Sequence, residues 1–258
     1  MSEATSLWID GKSVQGHGDL IDIDDPATGK AIGQLRLANS DDLDTAIASA
    51  KKAQAEWANA SLATRVSVMF KMRQLILDRQ DELADIIVAE GGKTHGDALG
   101  EIARGRETID FACGINAALK GEFTYNASRG VDVHTVRQPV GIVAGIAPFN
   151  FPVMVPMWMH LIALATGNAF ILKPVPTASL FIAELYKEAG LPDGLFNVVP
   201  GNRQIVSAIC EHPGVDAISF VGSSPVAHIV QNTGVEHGKR VQALGGANNH
   251  AIVMPDAD

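Results

Sequence analysis

Between Gly141 and Lys173 the chain sets two apolar runs of strand length, Gly141–Ala147 and Ala169–Leu172, on either side of a proline-punctuated segment. A continuous apolar run, rather than an alternating one, is the pattern of a parallel strand covered on both faces. Pro148, Pro152 and Pro156 forbid a regular helix through Phe149-Asn150-Phe151, because proline lacks an amide donor and restricts the residue before it. Asn150 is therefore predicted on a turn. Met157–Ala165 predicts a short helix, Gly167-Asn168 its stop, and the second strand ends on Lys173-Pro174. Further on, strands are predicted near Leu195–Val199, Ala217–Val221, Val241–Leu244 and Ala251–Met254, with helices near Ala178–Ala189, Ile205–Cys210 and Val226–Val235. This alternation, with right-handed crossovers, predicts an α/β fold on a doubly wound parallel sheet. Polar groups at the carboxyl ends of such strands line the ligand crevice, which puts Asn150 and Lys173 there.

The chain before Gly141 reads differently. Trp8-Ile9-Asp10-Gly11-Lys12 and Asp25-Pro26-Ala27-Thr28-Gly29 predict short strands broken by turns. Leu43, Ile47, Ala50 and Trp57 share one helical face, and Val66, Met69, Phe70 and Leu77 share another. Asp81 is the predicted cap of a third helix that ends at Gly91-Gly92, and a fourth pattern covers Asp97 to about Leu119. Glu122–Val136 alternates apolar and polar residues around Ser128-Arg129-Gly130, which predicts a protruding hairpin. The expected organisation is N-terminal strands and helices over 1–120, an oligomerisation hairpin over 121–139 and a dinucleotide-binding sheet domain over 140–258.

Composition narrows the function classes. Of 258 residues, 47% are hydrophobic and 19% charged, a globular balance. Twenty Lys and Arg against 29 Asp and Glu give a net charge of −9, with no clustered basic face, so a nucleic-acid partner is not expected. No charged residue lies between Gln138 and Leu172, yet the longest candidate helix there, about Met154–Ala165, falls short of the ~20 residues needed to cross a bilayer. No membrane span is expected. The start, MSEATSLWIDGK, carries no secretory or transit pattern, and Cys113 with Cys210 cannot form a disulfide framework, so a cytoplasmic protein is expected. The His residues show no metal-ligand spacing, and no metal is expected. Gly92-Lys93-Thr94 is not a P-loop, since Ile87 stands where that motif needs Gly, and no Gly-x-Gly-x-x-Gly occurs.

Four ordered blocks carry a resemblance: Pro148-Phe149-Asn150-Phe151-Pro152; Gly167-Asn168 with Lys173-Pro174; Gly190-Leu191-Pro192-Asp193-Gly194 with Asn197-Val198-Val199; and Phe220-Val221-Gly222-Ser223. They resemble the NAD(P)-dependent aldehyde dehydrogenases. Within that family the chain is most similar to the acylating methylmalonate-semialdehyde (malonate-semialdehyde) group, on Arg137-Gln138-Pro139, Pro156-Met157-Trp158-Met159, Lys239 through Gly246, and Asn249-His250. The resemblance implies a Rossmann-like domain of the aldehyde dehydrogenase type and runs from about Trp8 to Asp258. It also implies that the family's catalytic cysteine lies some tens of residues beyond Asp258.

Aldehyde oxidation through a cysteine needs a thiolate, donors for the oxyanion formed on addition, and a nicotinamide placed to accept hydride. By resemblance, Asn150 is the side-chain oxyanion donor, although a turn Asn that bonds its own backbone is the plainer reading. Ala147, Phe149, Lys173, Gly222 and Ser223 match cofactor contacts; a strand-end lysine is otherwise simply solvated. Gly222-Ser223 would open a pyrophosphate loop at a helix N-terminus, with Ala227 where the family has a second glycine. Arg104 matches the arginine that pairs with the substrate carboxylate, and equally suits an exposed helix arginine.

Two departures qualify the match. Ala243 stands where hydrolytic relatives have a general-base Glu, which favours acyl transfer to coenzyme A over hydrolysis. Val175-Pro176 stand where the family presents Ser-Glu, whose carboxylate holds the adenosine ribose, so NAD is expected as cofactor without strong exclusion of NADP. Cys113 and Cys210 lie in predicted helices away from the family's nucleophile. The expectation is a CoA-acylating dehydrogenase that oxidises malonate or methylmalonate semialdehyde, homo-oligomeric when complete and present as its N-terminal part, inactive alone. The alternative is a non-catalytic product that binds nucleotide or pairs with a full-length subunit.

Overall fold

The computed structural model describes residues 7–174 and 176–257. Two hairpins open the chain: β1 (Leu7–Ile9) with β2 (Lys12–Val14), and β3 (Leu20–Asp25) with β4 (Lys30–Arg36). Helices α1 (Ser40–Trp57), α2 (Leu62–Asp78), α3 (Gln80–Gly91), α4 (His95–Cys113) and α5 (Ile115–Ala118) follow, then the hairpin β5 (Phe123–Ser128) and β6 (Val131–His134). The rest alternates: β7 (Ile142–Ile146), α6 (Met154–Ala165), β8 (Ala169–Lys173), α7 (Pro176–Ala189), β9 (Phe196–Val198), α8 (Arg203–Glu211), β10 (Ala217–Val221), α9 (Ser224–Glu236) and β11 (Arg240–Leu244).

Five parallel strands stand in the order β11-β10-β7-β8-β9, and β1 and β2 extend that sheet in antiparallel sense beyond β9. The chain steps outward from β7 through β8 to β9, then returns to the other side of β7 for β10 and β11. Strand order thus reverses between β7 and β10, the place where open α/β sheets form their ligand crevice. Every residue of β8 is buried, which explains why that strand reads as unbroken hydrophobicity.

Local chemistry sets the joints. Gly167 ends α6 at φ +94°, and a Cβ there would fall 2.3 Å from the Arg65 guanidinium. Asn168 then accepts from Val140 N and Gly141 N at 2.7 and 3.0 Å and donates to Ala163 O at 3.0 Å, tying the start of β7 to the end of α6. Asn197, wholly buried, accepts from Asp10 N and donates to Gly194 O, fastening the first strand pair to the main sheet. These motif residues are joints of the fold.

The structure corrects several expectations. Ala251–Met254 is not a strand; Ile252, Val253 and Met254 are exposed and no neighbouring ladder bonds them among the described residues. An apolar run becomes a strand only where another strand accepts its backbone groups. Phe70 is 57% exposed, because the buried stripe of α2 runs through Met69, Met72 and Ile76, and an adjacent residue points some 100° away. Arg79, not Asp81, occupies the N-cap of α3, while Asp81 lies in the first turn, where its charge favours the helix dipole. The fourth helical pattern divides at Gly114 into α4 and α5. Val175 lies outside the described residues.

Candidate active site and cofactor crevice

The carboxyl ends of β7, β8 and β10 meet around the reversal of strand order. Ile146 and Lys173 are register partners, and Ala147 N donates to Lys173 O at 3.2 Å, so the loop after β7 starts alongside the end of β8. Ala147 is buried, whereas Phe149 and Asn150 are exposed on the loop. Among the described residues the Asn150 carboxamide bonds nothing in the protein, so it does not make the local backbone bond of an ordinary turn asparagine.

Lys173 is 9% exposed and has no carboxylate within ion-pairing distance among the described residues. Burial alone pushes its ammonium pKa down, and its Nζ lies 5.2 Å from the Phe149 ring centroid. A buried cation held only by a ring face has donors left for a ligand.

Three helices begin at this crevice, and their first turns are treated differently. At α6, Glu101 Oε1 reaches across from α4 to accept from Val153 N and Met154 N at 2.8 and 3.0 Å. At α7, Glu90 of α3 accepts from Thr177 N with both oxygens at 3.2 and 3.3 Å, and burial pushes its carboxyl pKa up. At α9, the N-cap Ser223 makes no side-chain capping bond, Pro225 stands in the first turn, and the Ser224 hydroxyl is occupied by Gly246 N at 3.0 Å. The head of α9 therefore keeps free donors and a positive dipole end, the arrangement that suits an anionic group. Gly222, just before it, donates its N–H to Leu244 O at 3.1 Å; a Cβ there would lie 2.6 Å from the Phe220 ring, so packing also requires glycine.

The fold thus brings Ala147, Phe149, Asn150, Lys173, Gly222 and Ser223 to neighbouring strand ends. Arg104 stands apart: on α4 its exposed guanidinium donates to Glu107 Oε1 at 2.7 Å, and no hydrogen bond or ion pair joins it to those six residues among the described ones. Cys113 ends α4 and Cys210 is buried in α8; burial raises both thiol pKa values, that of Cys210 to about 11, so neither is a ready nucleophile. Among the described residues no group of three or more His, Cys, Asp or Glu is placed to hold a metal, and no helix is long and apolar enough to cross a membrane.

Glu101 and Glu90 escaped the sequence reading, and Lys93 entered it only in the rejected P-loop pattern. A signal existed for one of them: Glu101 sits in the apolar stripe of α4 between Ala98 and Ile109, and a carboxylate there needs a buried partner.

The sequence pattern of the aldehyde dehydrogenase family matches residues 12–258. The malonate-semialdehyde dehydrogenase of Pseudomonas aeruginosa is 46% identical over 253 residues, which cover 97% of this chain and 51% of that protein. The human mitochondrial methylmalonate-semialdehyde/malonate-semialdehyde dehydrogenase (acylating) is 43% identical, with 98% of this chain and 48% of that protein covered. A crystal structure from Sinorhizobium meliloti 1021, described as a methylmalonate-semialdehyde dehydrogenase complexed with NAD, superposes with a TM-score of 0.95 at 49% identity, over 100% of this chain and 53% of that one. The chain spans about half the length of these relatives. A match over nearly every described residue, together with the crevice at the strand reversal, identifies the chain as a member of the aldehyde dehydrogenase family.

Proposed function

We propose that these residues form the cofactor-binding and subunit-pairing part of a CoA-acylating dehydrogenase. It oxidises malonate or methylmalonate semialdehyde with NAD and yields an acyl-CoA. The observation that carries this reading is a convergence on neighbouring strand ends: Asn150 and the buried Lys173, both unpaired among the described residues, meet the uncapped head of α9.

These groups fit a dinucleotide. Lys173 would donate to ribose hydroxyls, the free N–H groups behind Ser223 would receive the pyrophosphate, and Ala147 and Phe149 would line the nicotinamide half. NAD, when bound, accepts hydride from the substrate carbon. Asn150 would donate to the aldehyde oxygen and stabilise the charge that collects there when a thiolate adds. Arg104 is the proposed partner of the substrate carboxylate, and its guanidinium would have to exchange Glu107 for that ligand. Ala243 offers no general base for hydrolysis, which supports coenzyme A as the acyl acceptor, as does the acylating human relative. The thiol must come from outside these 258 residues, because Cys113 and Cys210 lie on helices away from the crevice with raised pKa values.

The proposed units are residues 1–120 packing on a cofactor domain of 140–258, with the hairpin 121–139 pairing subunits of a homo-oligomer. A cytoplasmic setting accords with two free cysteines.

Calorimetric titration with NAD and with NADP tests the reading. Binding of NAD with little preference over NADP is expected, because Val175-Pro176 offer no ribose carboxylate, and one lost charge-assisted hydrogen bond is worth about 1.5–3 kcal/mol. Firm rejection of NADP would show that another residue replaces that carboxylate. A chain that binds neither dinucleotide overturns the reading.

A further inference from the structure

The loop that carries Asn150 has little to hold it in place. Phe149, Asn150 and Phe151 are all exposed, Pro148 and Pro152 contribute no amide donors, and the segment belongs to neither sheet nor helix. Side-chain burial therefore cannot set where the Asn150 amide points. What remains is a small polar assembly from a distant part of the chain.

At its centre is the Glu101 side chain, 1% exposed. One oxygen accepts from Val153 N and Met154 N, and the other accepts from Lys93 Nζ at 2.5 Å. Lys93 in turn sits 4.2 Å from the centroid of Phe151, the residue next to Asn150. On the other side of Asn150, Phe149 rests near Lys173. Asn150 is thus bracketed by two rings, each lying over an ammonium group whose own position is fixed by the fold. Attachment of α4 to α6 does not need this assembly, because Gly105 already lets the two helices close, with Met157 filling the place of a side chain. Burial of the Glu101 carboxylate is costly unless it is satisfied, and the partly buried Lys93, together with the two amides, satisfies it at the foot of the Asn150 loop.

We propose that Glu101 and Lys93 are positioning residues that fix the Asn150 carboxamide for oxyanion stabilisation. Glu101 clamps the backbone three residues after Asn150, and Lys93 holds the neighbouring ring. The inference rests on the functional reading above, in which Asn150 is the donor.

The test uses the ¹⁵N-labelled chain, with the Asn150 side-chain resonances assigned by their loss in Asn150→Ala. In Glu101→Ala the Val153 and Met154 amides should exchange about tenfold to a hundredfold faster, the scale for losing a bond to a charged acceptor. The Asn150 amide pair should broaden or split. Lys93→Met keeps the apolar stem and should disturb the Asn150 signals while leaving both backbone amides protected. Glu101→Gln keeps an acceptor for the two amides but loses the ion pair, so it should behave like Lys93→Met; it carries the test if Glu101→Ala does not fold. NAD affinity should fall by no more than a few-fold in the Glu101 and Lys93 variants, because Lys173 and the head of α9 share no partner with them. A general loss of structure would move every resonance and the NAD affinity together. Asn150 signals that ignore Glu101→Gln and Lys93→Met in a chain that still binds NAD overturn the positioning role alone. A chain that binds no NAD overturns the functional reading and this inference with it.

Discussion

Lys173, the last residue of β8, holds its Nζ 5.2 Å from the ring centroid of Phe149 on the loop after β7. Register sets this up, since Ile146 and Lys173 are partners across the two strands and Phe149 follows Ile146 by three residues. The ring partly replaces the water that burial removes from the ammonium, and it leaves the donors free.

Lys173→Met should therefore weaken NAD binding by about tenfold to a hundredfold, the scale for bonds from a charged donor. Titration calorimetry checks this. Lys173→Ala should lose no more than a few-fold beyond Lys173→Met if bonding rather than stem packing is responsible. Unchanged affinity in both variants would remove Lys173 from the cofactor site.

Asn150→Ala should leave NAD affinity unchanged and lower turnover on the order of a hundredfold to a thousandfold, the effect of removing one oxyanion donor. The rate is to be measured with these residues joined to the remaining half of the Pseudomonas aeruginosa relative, since a polypeptide of these 258 residues alone is expected to produce no NADH from semialdehyde and CoA. Equal rates for that chimaera with and without the Asn150→Ala substitution would return Asn150 to a plain loop residue.

His160 predicts an acid limb in stability. It lies wholly buried, its Nδ1 2.6 Å from the Tyr186 hydroxyl, and burial pulls its pKa from 6.5 to about 3. The folded-state value lies below the unfolded one, so between them the unfolded chain binds the extra proton and stability falls as pH falls. The slope is about 1.4 kcal/mol per pH unit below pH 6.5, from this group alone. Urea unfolding across that range should show His160→Phe less stable near neutrality, with the Tyr186 hydroxyl left alone, but with a pH slope shallower by about that amount. Parallel slopes would mean that His160 accepts a proton while folded.

The β5–β6 hairpin exposes Phe123 and Tyr125 at 65% and 79%, with Val131 and Val133 also exposed. An apolar ribbon with open edges favours pairing with another chain. Tyr125→Asp combined with Val133→Asp should shift sedimentation toward monomer without changing far-ultraviolet dichroism. An unmodified chain that is monomeric at micromolar concentration would remove the hairpin's proposed pairing role.

Much of the architecture was legible because its cause is local. Continuous apolar runs marked β7 and β8, the prolines around Asn150 marked the loop, and Ser128-Arg129-Gly130 marked the hairpin turn, since period and φ restriction act within a few residues. The same local rules brought Asn150, Lys173 and Gly222 to strand ends without reference to any long-range contact. They failed at Phe70, where two adjacent apolar residues competed for one stripe, and at Ala251–Met254, where strand formation depended on a partner ladder.

Only the tertiary structure decided which strands are neighbours and which helix heads stay open. The reversal between β7 and β10 makes the crevice, yet each strand reads alike whichever strand it adjoins. Glu101 caps α6 from 52 residues away, and Glu90 caps α7 from 87 residues away. A cap supplied across that distance depends on how helices pack, not on the residues beside the helix start, so no local pattern announces it. Because those two carboxylates are spent on α6 and α7 while Ser223 leaves α9 uncapped, the anion-ready end of the crevice emerges only when the chain is folded.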